Sequence, residues 1–242
     1  MIYLNKRISE KEIYSALKAR KTTAARFKLC PFYSDVQVRQ MLLASCKVEV
    51  ENRHREFRAT PEYMQHIDDA AKWLTSDTPT FGLYICGSKG NGKSTLVRAL
   101  QSLVQWLKSN EPWQEDVTSL FPRPGFHVIN AKEVAVLAKA YNNTQSISAD
   151  RAIYKKLRDS EVLAIDDLGA EPLETLDYGN VITAIPDIVS RRYDNQLCTI
   201  ATSNLTASEI KGRYGEAFAD RFREMMHIIN FGNEQSFRNP LQ

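Results

Sequence analysis

The chain has 242 residues, 43% of them hydrophobic, which is enough for one sizeable domain with a buried core. Its net charge of +3 is uneven, because residues 1–60 carry 13 lysines and arginines against 6 acidic residues and the remainder carries 19 against 23. The apolar runs are too short to span a membrane, the amino terminus is charged where a signal peptide is apolar, and the four cysteines form no C-x-x-C pair. We therefore expect a cytoplasmic protein with no membrane partner.

The first segment is basic and has few motifs. Ser9 and Glu12 have the spacing of a capping box, which predicts a short helix. A basic run then precedes Phe32 and Tyr33, and this pattern favours either nucleic-acid contact or a basic helix that docks on an acidic protein. We interpret residues 1–58 as an N-terminal partner-binding segment and residues 59–242 as a separate, larger domain.

A phosphate-binding loop follows the first predicted strand. Thr60, Pro61 and Glu62 predict the start of a helix, and the apolar run 81–86 behind it predicts a strand. The loop itself reads Gly87-Ser-Lys-Gly-Asn-Gly-Lys-Ser94, and an apolar helical pattern continues beyond it. Strand, glycine-rich loop and helix in this order predict an ATP site, because backbone N–H groups at a helix N-terminus bind phosphate. The predicted ATP-binding residues are Gly87, Ser88, Lys89, Gly90, Asn91, Gly92, Lys93, Ser94 and Thr95.

Five short apolar runs predict the strands of the domain: 81–86, 126–129, 162–165, 198–202 and 227–231. Helical patterns separate them, so we predict an α/β fold with a five-stranded parallel sheet between helices. One long helix is predicted from Val181 to Val189, with Pro186 kinking or splitting it. Ligands of such sheets bind at the carboxyl ends of the strands, where the phosphate loop lies.

Two carboxylates follow the third predicted strand. Asp166 is predicted to hold Mg²⁺ together with Ser94, and Asp167 to polarise the attacking water. The alternative for Asp167 is a helix N-cap. The fourth strand ends in Ser203 and Asn204, at the same edge of the sheet, and the chain lacks the Asn-Lys-x-Asp run of guanine-specific proteins.

Five motifs in order resemble the DnaC/IstB branch of the AAA+ ATPases: the phosphate loop, Ile165-Asp-Asp-Leu-Gly-Ala-Glu171, Thr202-Ser-Asn-Leu205, Tyr214-Gly-Glu216 with Asp220-Arg221, and Ser236-Phe-Arg238. The resemblance covers about residues 80 to 240. It implies that Asn204 orients the attacking water, that Arg221 is an arginine finger acting on a neighbouring subunit, and that Arg238 is a second sensor. The alternatives for Arg221 are a surface salt bridge to Asp220 or Glu224, or Arg223 as the finger.

Two departures from the AAA+ pattern affect the expectations. Many members place glutamate where this chain has Asp167, so hydrolysis is expected to be slow, with Glu171 a secondary candidate. The chain also ends soon after Arg238, which implies little or no C-terminal helical lid.

The resemblance to helicase loaders further implies partners. An N-terminal segment would bind a hexameric replicative helicase, and the ATPase domain would bind single-stranded DNA while assembling into a ring or spiral. The DNA-binding candidates are Lys132, Lys139, Tyr141 and Tyr178, although core packing is open for both tyrosines. Two other functions share the motifs, namely an IstB-like transposition helper acting on duplex DNA and an ATP-gated switch that hydrolyses weakly.

Overall fold

The computed structural model describes residues 9–20, 26–29, 32–110, 126–142, 148–177, 180–232, 234 and 236–238. The helices are α1 (Glu10–Arg20), α2 (Asp35–Glu51), α3 (Pro61–Thr75), α4 (Lys93–Asn110), α5 (Ala131–Asn142), α6 (Ser148–Asp159), α7 (Ala184–Asp194), α8 (Ala207–Tyr214) and α9 (Glu216–Met225). The strands are β1 (Gly82–Cys86), β2 (His127–Asn130), β3 (Val162–Leu168), β4 (Thr175–Asp177), β5 (Asn180–Ile182), β6 (Cys198–Ser203) and β7 (Met226–Asn230). Within these residues no helix has the length and apolar character needed to cross a bilayer.

Five of the strands form one parallel sheet in the order β2-β3-β6-β1-β7. This confirms the predicted α/β fold, and each predicted run overlaps an observed strand. The sheet is covered on both faces, so β1 is buried along its whole length, as parallel strands between helices must be. The carboxyl ends of β1, β3 and β6 lie side by side at one edge.

Helix α2 belongs to the hydrophobic core although it precedes residue 58. Ser34 caps its first turn in a capping box with Gln37, and Val38, Leu42 and Cys46 are buried against α3 and α4. Burying an aliphatic side chain of this size contributes about 1.5–3 kcal/mol, so α2 is integral to this face of the sheet. The partner-binding role of residues 1–58 remains a prediction.

The segment between β3 and α7 differs from the sequence expectation. Val181 and Ile182 lie in β5, which pairs with β4 as an antiparallel hairpin, and the helix begins only at Ala184. Pro186 is therefore in the first turn of α7, where a missing N–H leaves no helical hydrogen bond unmade. The prediction of a long helix kinked or split at Pro186 was wrong, because apolar periodicity over three-residue strands resembles a helical turn.

Candidate nucleotide-binding site

The phosphate-binding loop joins the end of β1 to the start of α4, and it is packed tightly on both sides. Gly92 has a φ of +99°, and a Cβ there would lie 2.6 Å from Cε2 of Tyr63. A Cβ on Gly90 would lie 2.1 Å from Oγ of Ser236. Both glycines are required by backbone conformation and by space, so the loop has one shape set by its neighbours.

Lys93 is buried at the centre of the loop. Its Nζ donates hydrogen bonds to the carbonyl oxygens of Gly87 (2.7 Å) and Ser88 (2.6 Å), and to Oδ1 of Asn91 (3.2 Å) and of Asn204 (3.2 Å). Burial lowers the pKa of the Lys93 ammonium from its ordinary value, and the nearby Asp167 carboxylate opposes that shift. The structure thus brings the lysine of the loop and Asn204 of the β6 edge into contact.

The two carboxylates after β3 have different surroundings. Oδ1 of Asp166 accepts hydrogen bonds from Oγ of Ser94 (2.7 Å) and from Oγ1 of Thr202 (2.5 Å). Asp167 has a φ of +57°, donates its backbone N–H to Oγ1 of Thr202 (3.0 Å), and lines the pocket. The register shift between Ile165 and Leu168 lies at this point of β3. Asp167 lies within a strand, so the alternative of a helix N-cap is wrong.

A pocket of about 630 Å³ opens at this edge of the sheet, within the size range of sites for small ligands. It is lined by the loop residues 89–95, by Asp167 and Asn204 at the strand ends, and by Phe237 and Arg238 behind β7. Asn91 is fully buried, and in the described part of the chain its Nδ2 has no hydrogen-bond partner. A phosphate oxygen is an acceptor of the kind that this amide lacks.

The opposite side of the pocket is formed by residues that the sequence analysis missed. Residues 53–58, which we call the rim, lie between α2 and α3 and line the pocket together with Tyr63. Nη1 of Arg53 donates to Oγ1 of Thr95 (3.4 Å), and the Phe57 ring meets Tyr63 edge-on with a 5.9 Å centroid distance. Three arginines beside a phenylalanine were the available signal, but the sequence interpretation placed them in a partner-binding segment.

The residues after β7 form a strap over the loop, defined here as Glu234 and residues 236–238. The backbone N–H of Phe237 donates to the carbonyl of Gly90 (2.9 Å), and its ring meets Tyr63 edge-on at 5.8 Å. Arg238 lines the pocket. The strap therefore places Arg238, the predicted second sensor, at the pocket of its own chain.

Arg221 lies on α9, outside the lining of this pocket. Nη1 of Arg221 donates to Oγ of Ser190 (3.0 Å), and its guanidinium is 5.8 Å from the Tyr193 ring centroid. Asp220 pairs with Arg223 (3.3 Å). The exposed Arg221 guanidinium is thus placed on a surface rather than at the site of its own chain.

Two further arginines and Glu171 have structural contacts. The fully buried Arg192 donates to the carbonyls of Leu157, Ser160 and Cys198, so it has a structural role in the core. Arg191 pairs with Asp159 at 3.4 Å on the surface. The buried Glu171 carboxylate accepts hydrogen bonds from Gly169, Arg213 and Tyr214, which argues against its being a second catalytic carboxylate.

Lys132, Lys139 and Tyr141, three of the candidate DNA-binding residues, lie outside the lining of the pocket. Lys132 and Lys139 are exposed on α5. The Tyr141 ring packs against Tyr154 at a centroid distance of 5.1 Å and lies beneath the Arg158 guanidinium at 5.0 Å. Tyr178 lies outside the described residues.

The described residues contain no cluster of three His, Cys, Asp or Glu side chains suited to a metal ion. A magnesium ion that arrives with a nucleotide needs fewer protein ligands, because phosphates and water complete its octahedron. The hydrogen-bonded pair of Ser94 and Asp166 supplies the hydroxyl and carboxylate oxygens for such a site.

No protein-family model and no curated protein matches the sequence. Among solved structures, the DnaC helicase loader is 21% identical over 72% of this chain and 92% of its own, with a TM-score of 0.53. DnaI is 17% identical over 72% of this chain and 87% of its own, with a TM-score of 0.49. AMPPCP-bound DnaA from Aquifex aeolicus is 15% identical over 72% of this chain and 48% of its own, with a TM-score of 0.46. The fold of this chain is similar to that of the DnaC helicase loader.

Proposed function

We propose that this protein is an AAA+ ATPase that binds and hydrolyses ATP with Mg²⁺, binds single-stranded DNA and loads a hexameric replicative helicase. One observation carries the ATPase part of the proposal. The loop lysine contacts Asn204, and the loop serine contacts Asp166, so three separate strand ends supply one constellation of phosphoryl-transfer residues.

Each residue of the constellation has a distinct task in the proposed reaction. Lys93 would exchange loop carbonyls for phosphate oxygens, and the loop N–H groups would bind the same anion. Ser94 and Asp166 would hold Mg²⁺, which would neutralise charge on the terminal phosphates. Asp167 would accept a hydrogen bond from the attacking water, and Asn204 would orient that water.

Arg221 would complete the site in a neighbouring subunit. Its guanidinium is exposed on α9 and outside its own pocket, so any contact with a γ-phosphate has to occur across an interface. An arginine supplied in this way stabilises transition-state charge and makes hydrolysis depend on assembly. A ring or spiral of subunits provides that arrangement.

Single-stranded DNA would bind along α5 and the β4–β5 hairpin. Lys132, Val136 and Lys139 are exposed at helical spacing on α5, so both lysines lie on one face, where they would contact DNA phosphates. The cross-strand pair Leu176 and Val181 is exposed at 71% and 57% on the adjacent hairpin. Tyr178, which follows the last residue of β4 in the sequence, would stack a base, which is worth about 1–3 kcal/mol.

The helicase would bind through α1. Three of its apolar side chains, Ile13, Tyr14 and Leu17, are 47–62% exposed. Exposed apolar residues at helical spacing are the kind of face that docks in a partner groove. Removing residues 1–58 would also remove α2 from the core and could unfold the protein. The test therefore substitutes side chains of α1 in the full-length chain.

The experiment measures phosphate release by the intact protein with and without single-stranded DNA, with Lys93→Ala as the blank. We expect DNA to stimulate release well above the blank. Release equal to the blank would contradict hydrolysis and leave an ATP-gated switch. A Lys132→Ala, Lys139→Ala double variant should lose the stimulation at low salt.

A capture experiment tests the partner. A hexameric helicase should copurify with the intact chain and not with the Ile13→Ser, Leu17→Ser variant, whose phosphate release stays normal. ATP-dependent filaments on duplex DNA, with no helicase captured, would instead support the transposition helper.

A further inference from the structure

We infer that His66 and Glu234 are positioning residues that hold the strap so that Arg238 reaches the nucleotide. The inference rests on the proposed nucleotide site. It concerns residues outside every motif of the sequence, one on α3 and one behind β7.

The contact between the two residues is direct. Nε2 of His66 lies 2.6 Å from Oε1 of Glu234, and the His66 ring stacks on Phe231 with a centroid distance of 3.8 Å and an interplanar angle of 20°. His66 is 7% exposed. A buried imidazole that is stacked on one side and hydrogen-bonded to a carboxylate has a fixed ring plane, so it is a rigid anchor for Glu234.

The loop is bonded to the chain on both sides of Glu234, at Gly232 before the strap and at Phe237 within it. The backbone N–H of Ser88 donates to the carbonyl of Gly232 (2.9 Å), and that of Phe237 donates to the carbonyl of Gly90 (2.9 Å). Between these two backbone contacts, the bond from His66 to Glu234 ties the strap to a helix of the core. The backbone N–H of Glu234 also donates to the carbonyl of Phe231 (3.4 Å). Loss of the bond to His66 therefore removes one of the attachments that fix the backbone leading to Arg238.

Arg238 depends on this attachment because its own side chain is long and exposed. Its backbone N–H donates a hydrogen bond to Oγ of Ser236 (3.1 Å). An arginine on a mobile backbone loses more conformational freedom on binding a phosphate than one whose backbone is fixed beforehand. Glu234 and His66 therefore act on nucleotide affinity through Arg238 and touch no nucleotide themselves.

The test is a double-mutant cycle on binding of AMPPCP with Mg²⁺ to the full-length protein, measured by calorimetry. Glu234→Ala should raise Kd by roughly threefold to tenfold, and Arg238→Ala by about tenfold or more. In the Arg238→Ala background, Glu234→Ala should raise Kd no further, because the group that it positions is gone.

Three further variants separate positioning from general stability. Glu234→Gln keeps an acceptor oxygen and should recover most of the affinity, whereas His66→Phe keeps the stack on Phe231 and should weaken binding as Glu234→Ala does. Glu62→Gln, an exposed change on the same helix, is the matched control and should bind like the wild type. Thermal unfolding without nucleotide checks that each variant is folded.

The outcomes distinguish this inference from the proposed function. If Glu234→Ala weakens binding equally with and without Arg238, or leaves it unchanged while Lys93→Ala abolishes it, the positioning role is overturned and the ATP site stands. If Lys93→Ala binds as tightly as the wild type, the nucleotide site itself is wrong.

Discussion

The two sides of the pocket differ in how firmly they are held. On the phosphate side, Lys93 is buried with four acceptors within 3.2 Å, and Asp166 accepts two short hydrogen bonds. On the rim side, the Arg53 side chain donates to Thr95 at 3.4 Å and pairs with Glu49 at 3.9 Å, and most of the other rim residues are exposed. The phosphate side is thus fixed by many short contacts within the protein, while the rim is held by longer ones. Substitutions on the phosphate side should therefore cause large losses of nucleotide affinity or of phosphate release. Substitutions at the rim should lower nucleotide affinity only moderately.

The largest effect is expected from Lys93→Ala. Loss of the ammonium removes the charge that faces the phosphates, so AMPPCP affinity should fall about a hundredfold or more and phosphate release should disappear. Lys93→Arg keeps the charge and is the matched control for folding. If calorimetry shows that Lys93→Ala binds AMPPCP within about threefold of the wild type, the assignment of the phosphate side is wrong.

Arg221→Ala should lower phosphate release by about a thousandfold while leaving nucleotide affinity unchanged, because an arginine finger acts in the transition state. The matched control is Arg223→Ala on the same helix. A mixture of Arg221→Ala with Lys93→Ala should regain activity, since the second variant supplies the finger for the pocket of the first. No recovery in the mixture would show that Arg221 does not act across an interface.

Asp167→Asn should lower phosphate release by about a hundredfold with AMPPCP affinity within about threefold, since asparagine tolerates the positive φ but is a poor base. Both constants are measured on the same preparation. Unchanged turnover would move the catalytic role to another group of the phosphate side.

The smallest effect is expected at the rim. Phe57→Ala removes an apolar surface against which a base would pack, so AMPPCP affinity should fall about tenfold. Affinity for inorganic tripolyphosphate should stay unchanged, because that ligand has no base. Phe32→Ala, an exposed phenylalanine outside the pocket lining, is the control. Equal losses for both ligands would mean that the rim supports the phosphate side as well.

The two sides of the pocket also differ in how well the sequence predicts them. The loop from Gly87 to Ser94 and the carboxylates after β3 are local in the chain, and their spacing identifies them directly. The sheet was predictable because five apolar runs alternate with helical patterns. Arg53 and Phe57 reach the site only because α2 packs on α3 and α4, a contact between distant segments that no local pattern encodes.

The short hairpin was missed for a different reason. Its strands have three residues each, and Val181 and Ile182 continue the apolar spacing of α7. Over so few residues, the two-residue alternation of a strand cannot be told apart from the 3.6-residue repeat of a helix. The bond between His66 and Glu234 joins residues 168 positions apart, and neither has a sequence signal of its own.

The backbone at Asp167 also limits which residues evolution can place there. A φ of +57° is tolerated by aspartate, asparagine and glycine, whose short or absent side chains fit the left-handed region, and it disfavours the longer glutamate found in many AAA+ proteins. The aspartate therefore suits the left-handed backbone at this point of β3, and a glutamate there would adopt a disfavoured conformation beside the register shift of the strand.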